Sequence, residues 1–580
     1  MSMTVAGDSQ KTLSFFPSSP QERVRRSPVT LEKARPAADA ADPGSGARLT
    51  PVMAQARRHW ALLILLAAGL GLRVVTQLAY RPALLYIDSP KYLTAGLEKY
   101  DPQGYRDLVV RPLEWVGNLA LVAAFQHLLG LAMAVALYLL LLRRGVPRWA
   151  ATLAAAPILL DAYQLQMEQT IMPDVTFEAL IVTGFLILLW RPRPSVYAVA
   201  LAGFAFGTAA TVRQVGEALI LPAVIAALLG ARGWRSRLTT AGLATASFAI
   251  PVLVYMTYSA VVLHDRFELS DQGDAILYGR VAAAADCATL RLPAAERALC
   301  PTPRMVASYG VDGLVNDPYS PAYTAPHPAG LGRAEIVKRF SYAVLEQQPL
   351  RVAGAIADDA VKLFALTRDT APGDPPISRW QFQTTYPTYP DTITVPSASV
   401  LFGSNGGGGA PAAARPLAVF LRDYQLYGGY TPGPFLLLSL VAGLAGTALG
   451  RRRGNPPAIL ACLLVTVTGI AVLLGADMYE FSWRYQLPAL VTLPAAGAFG
   501  VTVLQARIRQ APGRKGSAAS APDPAVTLGR CPASPSSPTS GPLTPALFTR
   551  ITGSGSGRTR SSGGTAPAAR TPWWKNPTSR

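Results

Sequence analysis

Four short polar clusters interrupt an otherwise apolar chain, and each carries side chains able to move a proton or hold an anion. The first is Tyr86-Ile87-Asp88-Ser89-Pro90-Lys91-Tyr92. The second runs from Asp161 through Glu168 to Met172-Pro173-Asp174. The third is Arg213-Gln214 with Glu217 close behind, and the last joins Asp477 and Glu480 to Trp483-Arg484-Tyr485-Gln486-Leu487-Pro488. Each lies at or just beyond the end of an apolar run, where an ionisable group costs free energy and so marks a candidate functional site.

Carboxylates and arginines in that setting suit one reaction. Moving a sugar from a lipid phosphate to a hydroxyl needs a carboxylate that takes the acceptor's proton as its oxygen attacks C1. The phosphate is already a good leaving group. It requires positive charge and directed hydrogen bonds, which Arg supplies as a bidentate fork. Asp88 is the candidate catalytic base, and Lys91, Glu168, Asp174, Arg213 and Arg484 are candidate substrate-binding residues. Plainer readings stand beside these. Asp88 would serve as a helix cap before Pro90, Lys91 as an interface residue reaching for water, and Asp174 as a partner of a helix dipole. Asp161 and Glu168 would be exposed in a turn, and Arg484 would pair with Asp477 or Glu480. His127, inside an apolar run, reads as an interhelical hydrogen-bonding group.

Ten apolar runs must position these clusters: 60–80, 115–142, 149–163, 172–190, 196–212, 214–230, 239–263, 433–450, 457–476 and 486–504. The 149–163 run is short for a span, and 196–230 reads as either one hairpin or one long helix. The expected fold is an all-α polytopic membrane protein of about ten transmembrane helices, about seven in a domain at 57–263 and about three at 433–505. Basic residues mark cytoplasmic loops. With a cytoplasmic N-terminus, the clusters Arg143-Arg144 to Arg148, Arg191 to Arg193, Arg232 to Arg237 and Arg451-Arg452-Arg453 all fall inside, as does the tail from Arg507. The four polar clusters then share the outer face.

The 580 residues are 50% hydrophobic and only 15% charged, against about a quarter charged in soluble domains. The net charge of +19 is concentrated at the ends. Residues 1–59 hold 9 Lys/Arg against 5 Asp/Glu, and residues 506–580 hold 11 against 1. Both tails, 1–56 and 506–580, read as disordered and cytoplasmic, and attracted to anionic lipid rather than to nucleic acid. The segment 264–432 is too long for a plain connection and reads as an extracytoplasmic insert. It carries an amphipathic stretch from Ala334 to Leu366, broken at Pro349, in which Asp358 and Asp359 are expected to face solvent. A glycine-rich loop follows at Gly403–Gly409. Cys287 and Cys300 fall in this insert, where a disulfide between them would persist. Cys462 lies in a span and Cys531 in the tail. The four His residues (59, 127, 264 and 327) are scattered, and no zinc spacing is present. No metal site or cofactor is assigned, and a divalent cation is left open.

The Asp-containing loop after the first run, Gln126-His127-Leu128-Leu129-Gly130, the Asp161…Glu168…Pro173-Asp174 turn and Arg484-Tyr485-Gln486-Leu487-Pro488 together resemble the GT-C superfamily. The nearest likeness is to its protein-mannosyltransferase and aminoarabinose-transferase branch. It covers residues 57–264, and 433–505 more loosely. The resemblance implies a multi-pass cell-membrane glycosyltransferase with an outer-face site, inverting transfer and Asp88 at the matching position of the base. Its partners would be a polyprenyl-phosphate-linked sugar and an envelope glycan, lipid or protein acceptor. Relatives often carry an Asp-Glu pair in the first loop, whereas Asp88 is followed by Ser89.

Two other functional classes compete: an envelope lipid or glycan transporter (flippase), and a non-catalytic assembly factor. Transporters favour repeated halves and broken helices at the bilayer midplane. Neither feature is visible in the sequence.

Overall fold

A chain crossing lipid must satisfy its backbone hydrogen bonds internally, and the apolar runs accordingly fold as helices. The computed structural model describes residues 51–93, 101–114, 117–264, 266–270, 272–387, 408–450 and 456–509. Most of both tails, Arg451–Arg453, residues 403–407 of the glycine-rich loop and Cys531 lie outside the described residues. Residues 51–56, expected in the N-terminal tail, instead belong to a short helix, Pro51–Arg58.

The first membrane-type helix, α1, spans Trp60–Ala79 and leads into a two-residue strand, β1, Tyr80–Arg81. Then come α2 (Leu119–Arg143), α3 (Arg148–Leu160), α4 (Ala162–Gln169), α5 (Asp174–Leu189), α6 (Val196–Val212), α7 (Ile220–Gly230) and α8 (Trp234–Val261). The turn from α2 to α3 illustrates how sequence sets a boundary. Asn118 caps the start of α2 by accepting from the Ala120 amide. At the other end Gly145, at φ 84°, lets its amide reach Leu142 O and the Val146 amide reach Leu141 O, before Pro147 stops the helix.

Residues 196–230, expected as a hairpin or one helix, form two helices parted by Arg213 and a 3₁₀ turn at Gln214–Leu219. The segment 161–174, expected as a plain outer turn, contains α4, whose eight residues are all buried.

The insert supplies α9 (Gly273–Ala284), α10 (Pro303–Asn316), α11 (Arg333–Gln347), α12 (Pro349–Lys362), strand β2 (Ala412–Ala413) and α13 (Arg415–Leu426). Tyr278, Leu314, Phe340 and Val344 belong to a core of its own, and Cys287 and Cys300 are disulfide-bonded. Asp358 is exposed, but Asp359 is buried against Arg280 at 2.6 Å and Lys362 at 2.7 Å. This corrects the solvent-facing expectation, because α12 packs that side of its helix inward. β2 pairs antiparallel with β1, Tyr80 opposite Ala413, so the insert is tied to the exit of α1.

The last helices among the described residues are α14 (Gly433–Gly450), α15 (Pro456–Tyr479) and α16 (Ala489–Arg509). Small residues bring α14 and α16 together. A Cβ on Gly446 would stand 2.6 Å from the Gly500 Cα, the close approach that substitutes for hydrophobic driving force in lipid. Six helices among the described residues are long and apolar enough to cross a membrane: α1, α2, α8, α14, α15 and most of α16. The expected count of about ten would need the shorter helices as well.

Helices α5, α6, α7 and α15 run between two chemically distinct ends. Asp174 begins α5, Arg213 follows α6, and Asp477 and Glu480 stand at the close of α15. The opposite ends carry the arginine-rich turns.

Candidate active site

The loop that presents Asp88 is zipped to the segment after α4. The Leu84 amide donates to Gln169 O at 2.9 Å and the Ile171 amide to Leu84 O at 3.0 Å, a parallel bridge between Leu84 and Thr170. Ser89 is buried; its Oγ accepts from the Tyr86 amide at 2.8 Å and donates to Ile171 O at 2.9 Å. A carboxylate at this position would face a carbonyl oxygen in a closed space. Here the position fastens the loop. Ser89–Leu93 then forms one helical turn.

Asp88 belongs to a group of three carboxylates and three cations drawn from five parts of the chain. Asp88 Oδ1 is 3.0 Å from Lys91 Nζ and its Oδ2 is 3.0 Å from Arg484 Nη1. Lys91 also reaches Asp101 at 2.6 Å. Arg484 Nε donates to both oxygens of Asp174, at 3.2 and 3.0 Å, and Arg213 Nη1 pairs with Asp174 Oδ1. Four of the five expected substrate-binding residues, Lys91, Asp174, Arg213 and Arg484, thus join Asp88 in one ion-pair network, Asp174 and Arg213 through Arg484. Arg484 pairs with neither Asp477 nor Glu480; Asp477 accepts instead from Gln486 at 2.7 Å.

Aromatic rings wall this group. Tyr485 lies beneath both guanidiniums, 4.9 Å from Arg213 and 5.4 Å from Arg484. Trp380 of the insert is 5.4 Å from Arg484 and packs on Tyr86 at 4.5 Å. Such contacts favour cations held away from bulk water. Beyond Tyr86 and Trp380 opens a cavity of about 370 Å³, lined also by Leu84, Gln166, Thr170, Gln383 and Tyr386.

Electrostatics fix the resting charges. Burial alone would raise the Asp88 pKa, but the charges and hydrogen bonds of Lys91 and Arg484 outweigh it and hold the acid at about 2. Burial lifts Asp101 above its ordinary value, with Asp88 adding to the rise and Lys91 opposing it. Lys91 is raised despite burial, because Asp88 and Asp101 flank it. Glu480, at the mouth of the last loop, is pushed up to about 8 by burial and by the nearby charges of Asp312 and Asp88.

Glu168 lies elsewhere. It is fully buried, 2.7 Å from Arg73 Nη2 and 2.8 Å from His127 Nδ1. The exposed-turn reading of Glu168 is corrected here: it sits in α4, and its acceptors are spent inside the bundle. Arg73, in the middle of α1, also donates to Ile158 O and Leu159 O at the end of α3. His127 Nε2 meets Gln169 Oε1 at 2.8 Å, and Gln126 donates to Glu168 O and Thr170 O. Gly130 completes the motif: a Cβ there would come within 2.0 Å of Glu168 Oε1. The Gln126–Gly130 run therefore clamps α4 and, through Thr170, the Asp88 loop. Asp161 caps α4 through the Tyr163 amide and binds Arg368 and the Thr431 amide of the insert.

Sequence reasoning missed Arg73, Asp101 and Trp380. Arg73 carried a usable signal, a lone charge inside an apolar run. Trp380, deep in the insert, carried none.

Among the described residues no group of three or more His, Cys, Asp or Glu is arranged to hold a metal ion. No curated protein and no solved structure matches the chain. Residues 93–265 match the family described as dolichyl-phosphate-mannose-protein mannosyltransferase. The match spans Asp101, the Gln126–Gly130 run, Glu168, Asp174 and Arg213, whereas Asp88, Lys91 and Arg484 lie outside it. The match covers less than a third of the chain and supports a membrane glycosyltransferase of the GT-C type.

Proposed function

We propose that the protein transfers a mannosyl residue from a polyprenyl phosphate to a hydroxyl of an envelope protein on the extracytoplasmic face. The donor and acceptor follow the family's description; an envelope glycan or lipid is the alternative acceptor. The carrying observation is the convergence of Asp88, Arg484, Asp174 and Arg213 on one end of the bundle. A carrier that alternates access would concentrate such groups near the midplane, so the placement at helix ends favours transfer over transport.

In this reading the lipid phosphate engages Arg484, Arg213 and Lys91. The acceptor hydroxyl attacks C1, the C1–O bond to phosphate breaks, and the hydroxyl proton passes to Asp88. One displacement inverts C1, and the charge left on the lipid phosphate is met by the guanidiniums. Asp88 at a pKa of about 2 is a weak base in the resting protein. A phosphate drawing Arg484 and Lys91 toward itself loosens their hold and raises Asp88 basicity, so the base strengthens as the donor binds. The cavity beside Trp380 and Tyr86 offers the acceptor a route to the same carboxylate.

This reading takes α1 to α3, α5 to α8 and α14 to α16 as ten crossings, with both termini in the cytoplasm. The test uses purified full-length protein, radiolabelled polyprenyl-phosphate mannose and a Ser/Thr-rich peptide. Label in the peptide supports the reading; label reaching only lipid or glycan moves the acceptor; none with any acceptor removes it. Sidedness is checked in intact cells with an impermeant thiol reagent on S308C, at an exposed position of α10 in the insert, and on exposed S236C. Labelling of S236C alone would invert the topology.

A further inference from the structure

The end of the bundle opposite Asp88 holds a second cavity, of about 510 Å³, between the α5–α6 turn, the α7–α8 turn and the start of α15. Arg193, Arg232 and Arg237 line it, together with Leu229, Ile459 and Leu463. The three arginines are exposed, and none is ion-paired among the described residues. Arg237 makes only a long contact of 3.3 Å to Ala231 O. No Asp or Glu occurs in 143–148, 190–196 or 229–238, which together hold eight arginines.

The level of this cavity in the bilayer can be read independently. Trp149, Trp190 and Trp234 are exposed, at the start of α3, the end of α5 and the start of α8. Arg143 lies over the Trp190 ring at 4.6 Å. Exposed tryptophans at helix ends form the belt that sits among lipid headgroups. Helix α5, which joins this level to Asp174, has 16 residues and rises about 24 Å, so the cavity opens at the far membrane surface.

Three uncompensated guanidiniums around an apolar floor repel one another until an anion lies between them. The Arg fork matches phosphate oxygens, and the floor of Leu229, Ile459 and Leu463 suits the first methylenes of acyl chains. We propose that this cavity binds the phosphate headgroup of an anionic phospholipid. The combination of unpaired arginines, apolar lining and tryptophan belt favours a lipid phosphate over a free one.

The test is titration of the purified full-length protein with phosphatidylglycerol or phosphatidylcholine, read by native mass spectrometry. Wild type should retain phosphatidylglycerol in preference to phosphatidylcholine. The triple variant R193Q/R232Q/R237Q should bind phosphatidylglycerol about tenfold or more weakly, consistent with losing three charges near the surface. R193K/R232K/R237K keeps the charge without the fork, so it should fall between the two, and R235Q, outside the cavity lining, should match wild type. Thermal melting without added lipid shows whether the variants remain folded. Equal retention by wild type and both triple variants would overturn the site. Displacement of the lipid by inorganic phosphate at the same concentration would assign the arginines to a soluble phosphate and overturn the lipid assignment.

Discussion

Arg484 Nη1 stands 3.0 Å from Asp88 Oδ2 across 396 positions of sequence, while its Nε holds Asp174. One guanidinium therefore joins the loop after α1, the start of α5 and the loop before α16. The proposed base and the proposed anion-binding residues are tied to each other by that side chain.

Asp88→Asn keeps the side chain's shape and removes its ability to take a proton. Lys91 retains Asp101 and Arg484 retains Asp174, so the fold should persist with a melting temperature near wild type. Peptide mannosylation should fall by about 10²- to 10⁴-fold, the usual contribution of a general base. Transfer at the wild-type rate would remove Asp88 from the chemistry.

The two arginines should differ in their structural weight. Arg484→Gln leaves Asp88 and buried Asp174 short of a cation, a loss expected to cost about 3–5 kcal/mol. Arg213→Gln leaves Arg484 on Asp174, so it should melt closer to wild type and act mainly through a raised KM for the lipid donor. A melting curve in detergent ranks them; Arg213→Gln as the less stable variant would contradict this division.

Gly130→Ala places a methyl group against the Arg73–Glu168 pair. Overpacking of this kind costs about 1–3 kcal/mol, and here it also disturbs the clamp on α4. Gly71→Ala is the matched comparison on α1, because a Cβ there meets nothing within 4 Å. It should be neutral or mildly stabilising through helix propensity. Equal melting temperatures for the two variants would argue against the clamp.

Glu480 binds its proton more tightly folded, at about 8, than its ordinary 4.5. Between those values the native protein holds the extra proton, so this residue's contribution to stability falls as pH rises from about 4.5 to about 8. Glu480→Gln abolishes the titration, and the variant's melting temperature should decline less over that window. Parallel declines for both proteins would show that Glu480 does not hold its proton through this window.

The spans were legible because lipid demands long apolar runs and marks their ends with arginine and tryptophan. Asp88, Lys91, Asp174, Arg213 and Arg484 were legible for the converse reason: charge beside an apolar run is costly and stands out. Glu168 was legible as an unusual acid but not in its role, since a turn residue and a buried clamp look alike until α4 is seen to fold inward. The same limit hid Asp359, whose partner Arg280 lies 79 positions away.

Composition and the order of apolar runs by themselves determined a membrane helix bundle with polar groups gathered at helix ends, because solvation free energy depends on residue type and run length alone. Which acid meets which cation was decided only by tertiary structure. Pairing of Asp88 with Arg484, of Glu168 with Arg73, and of Trp380 with Tyr86 depends on distances between segments far apart in the chain. Those distances follow from how the helices pack, which no local pattern of residues contains.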